Sequence, residues 1–83
     1  MKVLYFAWLR ERLNRGSEDV SPPEEVLTVA DLIEWICRND EAADLALSNR
    51  NIVKAAIDGR MVPHSALIAG AMTIALLPPM TGG

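Results

Sequence analysis

The chain has 83 residues, of which 51% are hydrophobic and 23% are charged, and its formal net charge is -3. This length suits one small domain, near the size at which a single core suffices without metal or disulfide staples, and excludes a second domain. The eight basic residues are scattered rather than clustered, which argues against a partner such as nucleic acid or an anionic membrane.

The first predicted element is a strand at residues 3–7. This short apolar run is rich in β-branched and aromatic residues, as in a strand buried on both faces. The apolar segment Met1 to Leu9 is interrupted by Lys2 and followed at once by Arg10, without a small-residue cleavage site, so we do not interpret it as a signal peptide. No uninterrupted apolar stretch is long enough to span a bilayer.

Two weaker elements follow the first strand. Residues 8–14 contain good helix formers and predict one or two helical turns that stop before Gly16. The segment from Glu18 to Leu27 is broken by Pro22 and Pro23, which predicts a loop or an edge strand. The acidic residues around the two prolines are expected in a solvated loop; they are Glu18, Asp19, Glu24 and Glu25.

The main helix is predicted to begin at Thr28, a favourable N-cap with Asp31 three positions later. One apolar stripe follows at helical spacing and consists of Val29, Leu32, Ile33, Ile36 and Cys37. The stripe predicts a helix that covers a sheet, with Cys37 as a core residue rather than a reactive thiol. A single cysteine excludes an internal disulfide and favours a reducing compartment, the cytoplasm. Residues 41–47 predict a second short helix.

A hairpin and a final strand are predicted in the last third of the chain. Residues 52–57 are strand-like, Asp58-Gly59 is a type I′ turn signal, and residues 60–62 return before Pro63. His64 has no second histidine or cysteine at ligand spacing, so no metal site is predicted. Residues 72–77 form the last apolar strand.

The first and last strands are apolar on both faces, which predicts that they lie side by side at the centre of the sheet. Alternation then places Ile74 and Leu76 under the helix. The side chains of Phe6, Met61 and Leu77 are predicted to form an exposed apolar patch that binds a partner.

The residues after the last strand resemble a reactive arm. We expect a domain at residues 1–77 and an extended arm at residues 78–83, in which Pro78 and Pro79 favour an extended path. Gly82 lacks a Cβ and would give steric access, so the free carboxylate of Gly83 could reach a site inside another protein. The uncharged arm residues Pro78, Pro79, Met80 and Thr81 are also predicted to bind that partner.

The element order resembles the β-grasp arrangement of ubiquitin-like proteins, an α+β fold with a mixed sheet and one main helix across one face. A more specific resemblance is carried by five segments: Lys2 to Ala7, Leu9 to Glu11, Thr28 to Leu32, Ala55 to Asp58 and, most specifically, Leu77 to Gly83. In these segments the chain resembles the MoaD family, the small, sulfur-carrying subunit of molybdopterin synthase. The family usually has Asn where Asp58 stands and an acidic turn where this chain has residues 70–73, so weaker contact with a basic surface of the activating enzyme is expected.

This resemblance implies a chemistry centred on Gly83. A ubiquitin-activating-enzyme-like adenylyltransferase would use ATP and magnesium to adenylate the carboxylate, and sulfur would then displace AMP to leave a thiocarboxylate. The large subunit of molybdopterin synthase would receive the arm and direct the sulfur onto cyclic pyranopterin monophosphate. By matching position, the same resemblance assigns Phe6, Met61 and Leu77 to the interface, and no cofactor is expected to bind the chain itself.

Two alternatives remain open. The first is a sulfur carrier for thiamine synthesis or tRNA thiolation, and the second is a noncatalytic ubiquitin-like module for binding or conjugation. The sequence contains no Ser-His-Asp set, phosphate-cradling glycine loop or pair of catalytic carboxylates, so we expect that the chain is not an enzyme on its own.

Overall fold

Five strands and three α-helices are present in residues 1–79, which are the residues that the computed structural model describes. In chain order they are β1 (Lys2–Tyr5), α1 (Ala7–Leu13), β2 (Ser17–Asp19), α2 (Val29–Asn39), α3 (Glu41–Ala46), β3 (Lys54–Ile57), β4 (Arg60–Val62) and β5 (Thr73–Leu77), with a 3-10 turn at Arg50–Ile52 between α3 and β3. The last part of the predicted arm, Met80, Thr81, Gly82 and Gly83, lies outside the described residues.

The strands form one mixed sheet in the order β2-β1-β5-β3-β4. The central strand β5 is parallel to β1 and antiparallel to β3. The prediction that the first and last strands are neighbours at the centre of the sheet is therefore confirmed. Because β5 is central, its side chains face either the helices or the opposite, uncovered side of the sheet.

The helix α2 begins as the sequence predicts. The Thr28 hydroxyl accepts a hydrogen bond from the Asp31 N–H at 3.1 Å, and the Asp31 carboxylate accepts one from the Thr28 N–H at 3.2 Å. This reciprocal pair is a capping box. All five residues of the predicted stripe are buried: Val29, Leu32, Ile33, Ile36 and Cys37. The stripe therefore contributes one wall of the core. The predicted second short helix is present as α3, which extends the same layer.

The opposite wall of the core comes from one face of the sheet. The side chains of Ile74 and Leu76 on β5 are completely buried, and Val3 and Tyr5 on β1 lie beside them in register. Trp8 and Trp35 are partly buried against this cluster and complete its edge. Strand alternation consequently leaves Leu4, Ala75 and the residues beside them on the other face.

The turn between β3 and β4 is the predicted hairpin. Asp58 and Gly59 have φ values of 47° and 86°, the left-handed pair that a type I′ turn requires. The Asp58 carboxylate accepts hydrogen bonds from the Thr73 N–H at 2.8 Å and from the Met72 N–H at 3.1 Å. These contacts, led by the Thr73 N–H, lower the pKa of Asp58. Asp58 therefore ties the hairpin to the first residues of β5.

The sequence-based bounds of the first strand and of β3 were wrong. The first strand ends at Tyr5 rather than at residue 7, because Ala7 has a φ of 52° and starts α1. Ile52 belongs to a 3-10 turn, so β3 starts two residues later, at Lys54.

Residues 17–19 form an edge strand, which is one of the two structures predicted for the segment from Glu18; the expectation of a solvated loop was wrong for Glu18 and Asp19. Glu18 accepts hydrogen bonds from the Tyr5 hydroxyl at 2.6 Å and from Arg15 at 2.9 Å. Arg15 also contacts the Asp40 carboxylate at 2.5 Å. This network connects β1, β2 and the start of α3, an association that no local sequence pattern indicates.

Candidate docking face and the root of the arm

The uncovered face of the sheet carries an apolar row that crosses four strands. Leu4 on β1 pairs with Ala75 on β5, Ala75 pairs with Ala56 on β3, and Ala56 pairs with Met61 on β4. Cross-strand partners in register point to the same face of a sheet. We call this surface, together with the neighbouring side chains on the same face, the open face.

The open face exposes large apolar side chains to solvent. Met61 is 59% exposed and Phe6 is 43% exposed, while Leu77 is half-buried. Ala56 is buried but does not belong to the core cluster under the helices, as expected for a small side chain beside Met61 on the opposite face of the sheet. Scattered exposed apolar residues are normal, but a contiguous group of this kind is typical of an interaction surface.

Phe6 is held beside the end of β5. Its backbone is extended, so it continues the alternation of β1 and lies on the same side as Leu4. Its N–H donates to the Leu76 carbonyl at 3.2 Å, and the chain turns at the next residue, Ala7. The turn ends the strand with an aromatic ring next to Leu77, so two of the three predicted patch residues are neighbours.

The predicted arm starts from the same corner of the sheet. Pro78 is buried and Pro79 is half-buried. Within the described residues, Pro79 is therefore the accessible part of the predicted arm, and Pro78 is shielded by the body of the domain. The binding role predicted for Pro78, Pro79, Met80 and Thr81, and the chemical role predicted for Gly82 and Gly83, stay predictions.

The side chains of the cysteine and the histidine each contact a backbone carbonyl of the domain. Cys37 is 5% exposed, and burial raises the pKa of its thiol to about 11. A thiol with this pKa is protonated near neutral pH and is a poor nucleophile. His64 Nε2 donates to the Val53 carbonyl at 2.7 Å, and no group of three potential metal ligands occurs within residues 1–79.

Sequence reasoning found Phe6, Met61 and Leu77 but missed the residues between them. Leu4, Ala75 and Ala56 complete the open face, and only the strand register shows that they form one row. Alternation along each strand was visible in the sequence. The signal that was lacking is the alignment of β3 with β5, which brings together residues about 20 positions apart.

The fold and the open face define the class of protein. The chain is an α+β, ubiquitin-like β-grasp protein, and a structure titled "Putative molybdopterin converting factor, subunit 1" from Pyrococcus furiosus resembles it with a TM-score of 0.71 and 27% identity, over 94% of each chain. SAMP1 from Haloferax volcanii has the same fold, with a TM-score of 0.72 and 22% identity over 99% of this chain and 97% of that one. The predicted fold class is confirmed.

The sequence profile of the ThiS family matches residues 3–83. The chain therefore belongs to the ThiS family and is a ubiquitin-like sulfur carrier. A search among curated proteins finds no match. Within residues 1–79, none of the helices has the length and apolar character needed to cross a membrane.

Proposed function

We propose that this chain is the sulfur-carrying small subunit of a cytoplasmic molybdopterin synthase, of the MoaD type. Membership of the ThiS family supports a sulfur carrier, and the name of the Pyrococcus furiosus relative supports the molybdopterin pathway. The structural observation that carries the proposal is the position of β5. This central strand ends beside the open face and leads directly into residues 78–83.

The proposed chemistry takes place at Gly83. The carboxylate attacks the α-phosphorus of ATP in the adenylyltransferase, which forms an acyl adenylate and releases pyrophosphate. A sulfur nucleophile at the oxidation level of sulfide then attacks the acyl carbon, the bond to AMP breaks, and a thiocarboxylate remains. ATP and magnesium belong to the activating enzyme in this scheme, and the carrier supplies the acceptor carboxyl group.

Transfer of the sulfur requires the large subunit of molybdopterin synthase. In our proposal the open face, with Phe6, Met61 and Leu77, docks on that subunit, while residues 79–83 enter its active site. The thiocarboxylate sulfur replaces an oxygen substituent on a carbon of cyclic pyranopterin monophosphate, so that a carbon–sulfur bond forms as a carbon–oxygen bond breaks. Water then cleaves the acyl–sulfur bond, which leaves the sulfur on the substrate and returns Gly83 to a carboxylate. The carrier is thus a reactant, and the large subunit supplies the catalytic groups.

The direct test is the intact mass of the protein after incubation with the activating enzyme, ATP, magnesium and a sulfide source. We expect the mass to rise by the difference between one sulfur and one oxygen atom. The matched control is a variant that lacks Gly82 and Gly83 and retains residues 1–81. An unchanged mass for the full chain would contradict the proposal.

A genetic test separates the pathways. Expression of the chain should restore molybdopterin synthesis in a strain that lacks its own small subunit, and the variant without Gly82 and Gly83 should not. Restoration of thiamine synthesis in a strain that lacks its thiamine sulfur carrier, without restoration of molybdopterin synthesis, would favour the first alternative. If the shortened variant kept full activity, the protein would be a docking module rather than a sulfur carrier.

A further inference from the structure

We propose that the open face fits a partner surface that is apolar at its centre and acidic at its rim, and that Lys54 is the main electrostatic contact. The proposal rests on the proposed function, because it names the chemistry of the large-subunit surface that would receive this face. Its basis is the distribution of charge around the sheet.

The chain contains two lysines, Lys2 and Lys54, and both lie on the open face. Lys2 precedes Leu4 by two positions on β1, and Lys54 precedes Ala56 by two positions on β3, so alternation places each lysine on the same side as the apolar row. Both are exposed. With ordinary strand spacing their Cα atoms are about 16 Å apart, on a diagonal across the row.

The open face is less negative than the rest of the molecule. Its charged residues are Lys2, Lys54, Asp19 and Asp58, the last of which accepts a hydrogen bond from the Thr73 hydroxyl on this face, and they sum to zero, so the remainder of a chain with a net charge of -3 carries -3. An acidic partner is therefore repelled by the helical layer but not by the open face. Charge complementarity of this kind selects the orientation of an encounter and excludes wrong partners.

The two lysines are not equivalent. Lys2 lies opposite Asp19 in the β1–β2 register, so a carboxylate on the same face partly balances its charge. Lys54 lies opposite Leu77, the last residue of β5, at the root of the predicted arm. No ion pair within residues 1–79 includes either lysine. Lys54 therefore presents the less balanced charge, and it does so next to the segment that the partner must receive.

A protein carboxylate is the anion that this arrangement fits. Two lysines are too few for the phosphate backbone of a nucleic acid, where affinity depends on several neutralised phosphates. They are also fewer than the four or more clustered basic residues typical of lipid headgroup recognition. The row of Leu4, Ala75, Ala56 and Met61 between the lysines needs an apolar counterpart, which a protein surface supplies.

The test measures the dissociation constant for the large subunit of molybdopterin synthase from the same genome at two salt concentrations. Lys54→Glu should weaken binding roughly tenfold at low salt and less at high salt. Lys54→Arg keeps the charge and should stay within about twofold of the wild type. Lys2→Glu should have a smaller effect than Lys54→Glu, and Asp19→Asn should strengthen binding because it makes the face more positive.

The matched control is Arg38→Glu, which changes the net charge by the same amount at an exposed position of α2 in the helical layer. Its dissociation constant should match that of the wild type. Equal effects of Lys54→Glu and Arg38→Glu, with circular dichroism showing both folded, would overturn this inference and leave the proposed function standing. Failure of the wild-type chain to bind the large subunit would overturn both.

Discussion

The substitution Met61→Ala tests whether the open face is a docking surface. Full burial of a methionine side chain is worth about 1.5–3 kcal/mol. Met61 is 59% exposed on the edge strand β4, so a partner that covers it completely gains about 1–2 kcal/mol from this side chain. Loss of that contact should weaken binding to the large subunit by about 5- to 30-fold.

Isothermal titration calorimetry of the wild type and the variant measures this difference. Leu45→Ala is the matched control, because Leu45 is 77% exposed but lies on α3, in the helical layer. We expect this control to bind within about twofold of the wild type, since the proposed interface leaves α3 uncovered. The reasoning is refuted if Met61→Ala binds as tightly as the control, or if both variants lose the same affinity.

Three further predictions concern the interface and the fold. Phe6→Asp should lose binding to the large subunit while its circular dichroism spectrum stays native, because it places a charge in an apolar surface that docking desolvates; an unfolded variant would assign Phe6 to the core. Thr28→Ala should lower the free energy of unfolding in urea by about 1 kcal/mol by removing the N-cap, whereas Thr28→Ser should retain it, and equal stability of all three proteins would contradict this role. The depressed pKa of Asp58 means that its contribution to stability is present above the pKa of the unfolded chain and is lost as the pH falls through the folded value. Asp58→Asn should therefore reduce the dependence of stability on pH below about 4, and an unchanged acid transition would argue against the contacts with Thr73 and Met72.

Local features of the fold were readable from the sequence because their signals act over a few residues. The N-cap at Thr28, the stripe of α2 and the Asp58-Gly59 turn each depend on neighbours within about one or two turns of chain. Adjacent placement of β1 and β5 was also predictable, since strands that are apolar on both faces belong at the centre of a sheet.

Features that depend on contacts between distant residues could not be predicted from the sequence. Glu18 is held in the edge strand by its hydrogen bonds with Tyr5 and Arg15. The composition around Pro22 is typical of a loop and gives no sign of these contacts. Ala7 adopts a left-handed conformation that ends β1. The sequence does not predict this conformation, because alanine usually avoids positive φ. Burial of Pro78 likewise reflects packing by the folded domain rather than any property of the Pro-Pro pair.

By itself, the sequence determined the order of the elements, the residues of the main helix that face inward, and the uncharged Gly-Gly ending. Tertiary structure decided which side of the sheet the helices cover and which side stays open. It also decided that Leu4, Ala75, Ala56 and Met61 form one row with Lys54 nearby. The physical reason is that alternation assigns side chains to two faces of each strand, but only long-range register aligns those faces between strands and packing selects the one that is buried.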